Sequence, residues 1–153
     1  MVVGDIKRFM LIMGPTSSVF DYATFALMFF LICPSMLGGS YHSLDAAQQL
    51  AFAALFQAGW FVESLFSQTL VVQILRTEKM PFIQSRPSAL VFITAMTLLA
   101  IGLILPYTGL GKAIGFAQLP LQFYYWLAAM LVGYIALAQT FKVWYIKKYQ
   151  NWL

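Results

Sequence analysis

Four long apolar runs, each interrupted by proline or glycine, constrain this chain more than any other feature. They lie at about 9–32, 50–75, 89–105 and 119–141, and the second half of the first, Phe25 to Ile32, is wholly apolar. About 20 mainly apolar residues in a helix are enough to cross the roughly 30 Å of bilayer hydrocarbon. Pro34, Gly38 and Gly39 follow the first run, and Pro81 and Pro87 separate the second from the third. Pro106, Gly109 and Gly111 follow the third, and Pro120 opens the fourth. No stretch alternates apolar and polar residues over the ten or so positions of a barrel strand. The pattern predicts an all-α polytopic membrane protein: one transmembrane domain over 1–153, built as a bundle of four transmembrane helices.

Composition excludes the competing classes. Of 153 residues, 61% are hydrophobic and 9% charged, against about 45–50% and about 25% in soluble domains. Nine Lys or Arg and five Asp or Glu could not cover the surface of a soluble globule. Disordered chains are poor in apolar residues, so that class is excluded too. Cys33 is the single cysteine, which rules out a disulfide-stapled module. The net charge of +4 is not a nucleic-acid signal, because the basic residues form no clustered face with readers.

Those basic residues report topology instead. Lys7, Arg8, Arg76, Lys79, Arg86, Lys142, Lys147 and Lys148 fall on one side of four alternating spans, and Lys112 alone falls on the other. Lys and Arg accumulate in short cytoplasmic loops, so both termini are expected to be cytoplasmic, with 33–49 and 107–118 facing outward. The run after Lys7 and Arg8 is too long for a secretory signal peptide and has no Ala-x-Ala-like site. Tyr107, Tyr124, Tyr125, Trp126, Trp144 and Tyr145 suit an interfacial belt, whereas Trp60 lies well inside its span.

Two carboxylates inside the spans carry the most chemical information. Asp21 lies about ten residues from the cytoplasmic end of the first span, and Glu63 about twelve from that of the second. With a rise of about 1.5 Å per residue, both sit at similar depth and are expected to be neighbours. A mid-bilayer carboxylate costs several kcal/mol, so it faces a bundle interior or an aqueous path. One reading makes these acids neutral hydrogen-bonding partners between helices; the other puts them beside a transported cation or its hydrated path. Ser17 and Ser18 stand where they can bond Asp21 locally.

The second span is also rich in Gln57, Ser64, Ser67, Gln68, Thr69 and Gln73. Ser64, Ser67 and Gln68 can share a face, and such residues commonly join membrane helices. Gly14-Pro15-Thr16-Ser17-Ser18 predicts a kink, and Ala129 with Gly133 forms a small-xxx-small pair that permits close approach. His42 has no second ligand at metal spacing. No phosphate loop, nucleophile elbow or Cys/His cluster occurs, so no catalytic residue and no bound cofactor is assigned.

Several strings in order resemble one family. Asp5-Ile6-Lys7-Arg8-Phe9-Met10 leads to Gly14-Pro15-Thr16-Ser17-Ser18-Val19-Phe20-Asp21. Then come Leu55-Phe56-Gln57-Ala58-Gly59-Trp60-Phe61, Leu65-Phe66-Ser67-Gln68-Thr69-Leu70-Val71-Val72, Arg76-Thr77 and Pro81-Phe82-Ile83-Gln84-Ser85-Arg86. The chain resembles the C-terminal membrane domain of bacterial magnesium-translocating P-type ATPases over nearly its whole length. The resemblance implies the last four of ten membrane helices, a multi-pass place in the bacterial inner membrane, and Mg²⁺ as the ion carried by the complete pump. It implies as partners the lipid bilayer and the remaining transmembrane helices and cytoplasmic domains of the pump, with no nucleic acid. The family's phosphorylated Asp-Lys-Thr-Gly-Thr loop does not occur in these residues, so the chain alone is not expected to hydrolyse ATP.

In that family the helix matching the second span can lend a carboxylate or amide to the ion site eight residues before a cytoplasmic-end Arg. Here that residue is Gln68, counted back from Arg76. Glu63 lies more than one turn outward, where the pattern often has an apolar or small residue; this argues against direct ligation and leaves an outward pathway role. The candidate ion-path residues are therefore Gln68, Glu63 and Asp21. Two rival readings stand beside this one: a free-standing four-helix scaffold or regulatory subunit, and a small cation- or proton-coupled carrier.

Overall fold

The structure, a computed structural model, describes residues 3–75 and 88–149. Helix α1 (Val3–Leu27) passes through a π-helical turn (Met28–Ile32) into α2 (Cys33–Leu37). A 3₁₀ turn (Tyr41–Ser43) leads to α3 (Ala46–Leu75). Helix α4 (Ala89–Ile104), a 3₁₀ turn (Leu105–Tyr107), α5 (Gly109–Ala113) and α6 (Leu121–Tyr149) complete the chain. Among the described residues there is no strand, and four stretches are long and apolar enough to cross a membrane: Gly14–Ser43, Ala46–Ile74, Ala89–Tyr107 and Leu121–Lys148.

Pro34 does not end the first span as its sequence suggests. The Cys33 N–H bonds the Met28 carbonyl five residues back, which is the π pattern. Five residues at α spacing would set Met28 and Cys33 about 140° apart, yet both are fully buried; the wider turn lets them face the same side. Pro34 then falls at the start of α2, where a missing N–H is harmless. The helix stops instead at Gly38, whose φ of 79° is left-handed and whose N–H reaches the Pro34 carbonyl at 2.9 Å. Pro15 lies inside α1, at the position expected to kink it.

The fourth helix runs past 141 to Tyr149, because Lys142, Lys147 and Lys148 are good helix formers and suit a helix C-terminus. The connection before it is well bonded. Thr108 caps α5 by accepting from the Gly111 N–H at 3.1 Å, and the Phe116 N–H donates to the Gly111 carbonyl at 2.8 Å. The Tyr107 hydroxyl donates to the Leu119 carbonyl at 2.9 Å, and the Ala117 N–H reaches the Ala54 carbonyl at 3.3 Å, which pins the segment to the flank of α3.

Helix α3 is the hub, touching α1, α4 and α6, while α1 also packs on α6. Met28 lies against Gly59 and Phe20 against Tyr134, whereas Lys142 reaches Ile74. Helices α1 and α4 therefore run opposite to α3 and α6. The start of α1 and the end of α6 share one end of the bundle, here the basic end; the 38–45 turn marks the other, the loop end.

Toward the loop end the core is apolar: Leu27, Met28, Ile32, Phe52, Leu55, Ala58, Val62, Phe123 and Leu127 form one buried cluster. Trp60 stacks on Phe56 at 5.7 Å and meets Phe25 edge-on at 6.0 Å. That intramembrane ring cluster accounts for a tryptophan that suits no interfacial belt. Helix α4 buries little beyond Ala95 and Gly102. Leu90, Ile93, Ile101 and Ile104 point outward, which costs nothing against lipid tails.

Candidate functional site

Three helices bring polar side chains together in the half of the bundle toward the basic end. Glu63 on α3 is 2% exposed, and its Oε2 has no hydrogen-bond partner among the described residues. Ser67, one turn along the same face, is buried beside the Glu63 carboxyl, and its hydroxyl donates to the Ser64 carbonyl at 3.2 Å. Asp21 on α1 is partly buried and close enough to Glu63 for the two carboxyls to interact electrostatically. The expected proximity of the two acids is thus present in the fold.

From α6, Tyr134 completes the group. Its hydroxyl lies near Ser17 and in the field of both Asp21 and Glu63. Helical side chains lean toward the N-terminus of their helix, which carries the Tyr134 ring back toward the level of the acids. Phe20 holds that ring edge-on with centroids 5.0 Å apart. One turn along α1, the Thr24 hydroxyl is buried against the Met130 sulfur at 3.9 Å.

Gln68 is not part of this group. Five residues separate it from Glu63, which turns it about 140° around α3. It is exposed and lines a cleft against α4 together with Thr69 and Gln73. The three candidate residues therefore fall on two sides of α3, Glu63 toward Asp21 of α1 and Gln68 toward α4. Among the described residues no group of three His, Cys, Asp or Glu side chains is placed to hold a metal. His42 is exposed in its turn.

Nearer the basic end, Lys142 is 1% exposed and its ammonium donates to the Ile74 carbonyl at 3.1 Å. Ile74 lies near the basic end of α3, and its carbonyl is the acceptor that the buried ammonium meets there. Sequence reasoning counted Lys142 only as a topology marker and passed over Tyr134. A signal was available: Phe123, Leu127, Tyr134, Ala138, Lys142 and Tyr145, all buried, recur at spacings that form one stripe of a helix. The Arg76, Lys79 and Arg86 markers and the Pro81–Arg86 string lie outside the described residues.

Comparison with known proteins decides what this bundle is similar to. Residues 3–144 match the family described as "Cation transporting ATPase, C-terminus". The chain belongs to the cation-transporting ATPase C-terminal family. Within it, "Magnesium-transporting ATPase, P-type 1" of Salmonella typhimurium strain LT2 is 46% identical over 148 residues, covering 97% of this chain. The protein of the same name from Escherichia coli K12 is 39% identical over 145 residues, covering 95% of this chain. In both cases the chain spans 15% of the relative's length. The four apolar helices are thus those of a cation-transporting ATPase C-terminal region, homologous to that of magnesium-transporting P-type ATPases.

Proposed function

We propose that this chain is the C-terminal membrane domain of a pump that moves Mg²⁺ across the bacterial inner membrane. Its partners are the bilayer, the pump's remaining transmembrane helices and its cytoplasmic domains. The supporting observation is identity of 46% over 97% of the chain to a named magnesium-transporting ATPase, with two acids facing each other inside the bundle. The basic end is the cytoplasmic end in this reading, as the Lys and Arg distribution favours.

Asp21, Glu63, Ser17, Ser67 and Tyr134 supply a polar lining at one depth, where a passing cation would lower the cost of burying the two acids. Glu63 stands in the passage, with the Tyr134 hydroxyl of α6 in its field. Gln68 faces the other flank, where an amide oxygen could join ligands from helices outside this chain. Mg²⁺ keeps several waters and takes one or two carboxylates, so a pair of acids beside hydroxyls suits a partly hydrated ion in transit.

The test is a chimera in which this chain replaces the matching segment of a magnesium-transporting ATPase, with magnesium uptake measured in cells lacking other carriers. The chimera should transport. Glu63→Gln should reduce uptake by about tenfold or more, about 1.4 kcal/mol in the barrier, with the chain present at parental level. Unchanged uptake in Glu63→Gln would reduce the acid to a bond between helices.

A further inference from the structure

The cleft between α3 and α4 has a chemistry that the acid group does not use. It has a volume of about 290 Å³; Gln68, Thr69 and Gln73 of α3 line it, and the rest of its wall, Leu65 and Val72 of α3 and three residues of α4, is apolar. Gln73 is 3% exposed, and its amide oxygen has no hydrogen-bond partner among the described residues. The Thr69 hydroxyl donates to the Leu65 carbonyl at 2.7 Å, which leaves its oxygen free to accept. Two amides and a hydroxyl thus converge on a space inside the span, and one of them holds a buried oxygen with nothing to bond.

We infer that this cleft is a water-filled crevice entering the membrane from the basic end. An amide left facing hydrocarbon would cost several kcal/mol, and a lipid tail filling the cleft would leave the exposed Gln68 amide so. Water needs two to four polar partners, and each molecule takes about 30 Å³; the cleft has room for several, and the α3 side chains Gln68, Thr69 and Gln73 supply partners along one wall. At its inner limit Gly102 packs on Leu65, where even an added Cβ would collide with the Leu65 side chain. That contact closes the cleft toward the loop end. At its other limit Gln73 lies on the basic-end side of Gln68 and Thr69, the side nearer water in this reading. From Gln73 to Gln68 the polar lining descends about 7 Å. The inference depends neither on which ion is carried nor on the roles of Asp21 and Glu63, which meet on another side of α3.

The experiment uses the full chain in lipid vesicles, with Cys33→Ala as background, and a charged, membrane-impermeant methanethiosulfonate as probe. Single cysteines are placed by Gln68→Cys, Thr69→Cys and Gln73→Cys, with Ile101→Cys on the outward face of α4 as the hydrocarbon control. The cysteine thiolate, which forms readily in water and poorly in a dry setting, attacks the probe's sulfur and expels methanesulfinate to leave a mixed disulfide. The cleft cysteines should therefore react at least about tenfold faster than Ile101→Cys. Should Gln73→Cys fail to yield a helical, monodisperse protein, Thr69→Cys decides alone, since it changes little volume. Cleft cysteines that react no faster than Ile101→Cys would overturn the inference. So would cysteines open to an apolar maleimide but closed to the charged probe, since a lipid tail would then fill the cleft.

Discussion

The two halves of the bundle are held together by different physics. Toward the loop end, Met28 and Phe123 close on Gly59 within a cluster that also buries Phe52 and Val62, and stability there is a matter of volume. Toward the basic end, the interior carries Asp21, Glu63, Ser67, Tyr134, Gln73 and Lys142, and contacts depend on which atom meets which. In lipid no hydrophobic force separates helix from tail, so close packing and polar bonds must each supply what burial supplies in water. The chain uses one device at each end. A volume-held half should resist changes of chemistry and fail on changes of size; a bond-held half should do the reverse.

The largest expected effect tests the first limb of that contrast. A Cβ on Gly59 would collide with the Met28 methyl, stand 2.7 Å from its sulfur and lie 3.3 Å from the Phe123 ring. All three neighbours are wedged between α1, α3 and α6. Gly59→Leu should cost about 3 kcal/mol or more, the upper range for overpacking a tight core. Denaturant titration of the purified chain in detergent would register it as a large drop in midpoint. A loss under about 1 kcal/mol would mean the loop-end half gives way and is not held by volume.

Next in size is a change that keeps volume and removes a bond. Lys142→Met preserves the length of a buried side chain while deleting the ammonium that meets the Ile74 carbonyl. It should cost about 1–2 kcal/mol, within the range for a buried hydrogen bond that loses its partner. The comparably size-conserving Met28→Leu in the other half should stay within about 1.5 kcal/mol. Equal losses from the two substitutions, by the same titration, would erase the distinction between the halves.

The halves also differ in how far they were legible before folding. Span count and helical class follow from apolar run length alone, since each run must satisfy its own backbone in hydrocarbon. Asp21 and Glu63 stand out because a charge inside such a run is expensive, and equal depth along two joined helices brings them together. Tyr134 did not stand out, for a tyrosine among Trp and Phe passes as one more aromatic. Its role depends on α6 lying beside α1, which no spacing within α6 announces. Gln68 is a separate case: its position matches a family pattern, and periodicity from Glu63 turns it to another flank of α3. Pro34 misled because a prolyl residue reads as a stop, while the π turn that admits it is fixed by Met28 and Cys33 seeking one side.

The smallest expected effect concerns the small-residue pair on α6, where the sequence suggested a close approach. Gly133 is exposed, and an added Cβ would meet only the Phe20 ring at 3.6 Å, an ordinary contact. The crowded glycines are Gly59 and Gly102 on other helices, so Ala129 and Gly133 do not form the tight seam of this bundle. Gly133→Ala should then be neutral or stabilising by up to about 1 kcal/mol, the gain from replacing a helix-interior glycine. The same substitution at Gly59 should destabilise, which makes the pair a test of position at constant chemistry. A clear loss at Gly133, accompanied by a change in oligomeric size, would reveal a helix seated against α6 that the four-helix bundle alone does not contain.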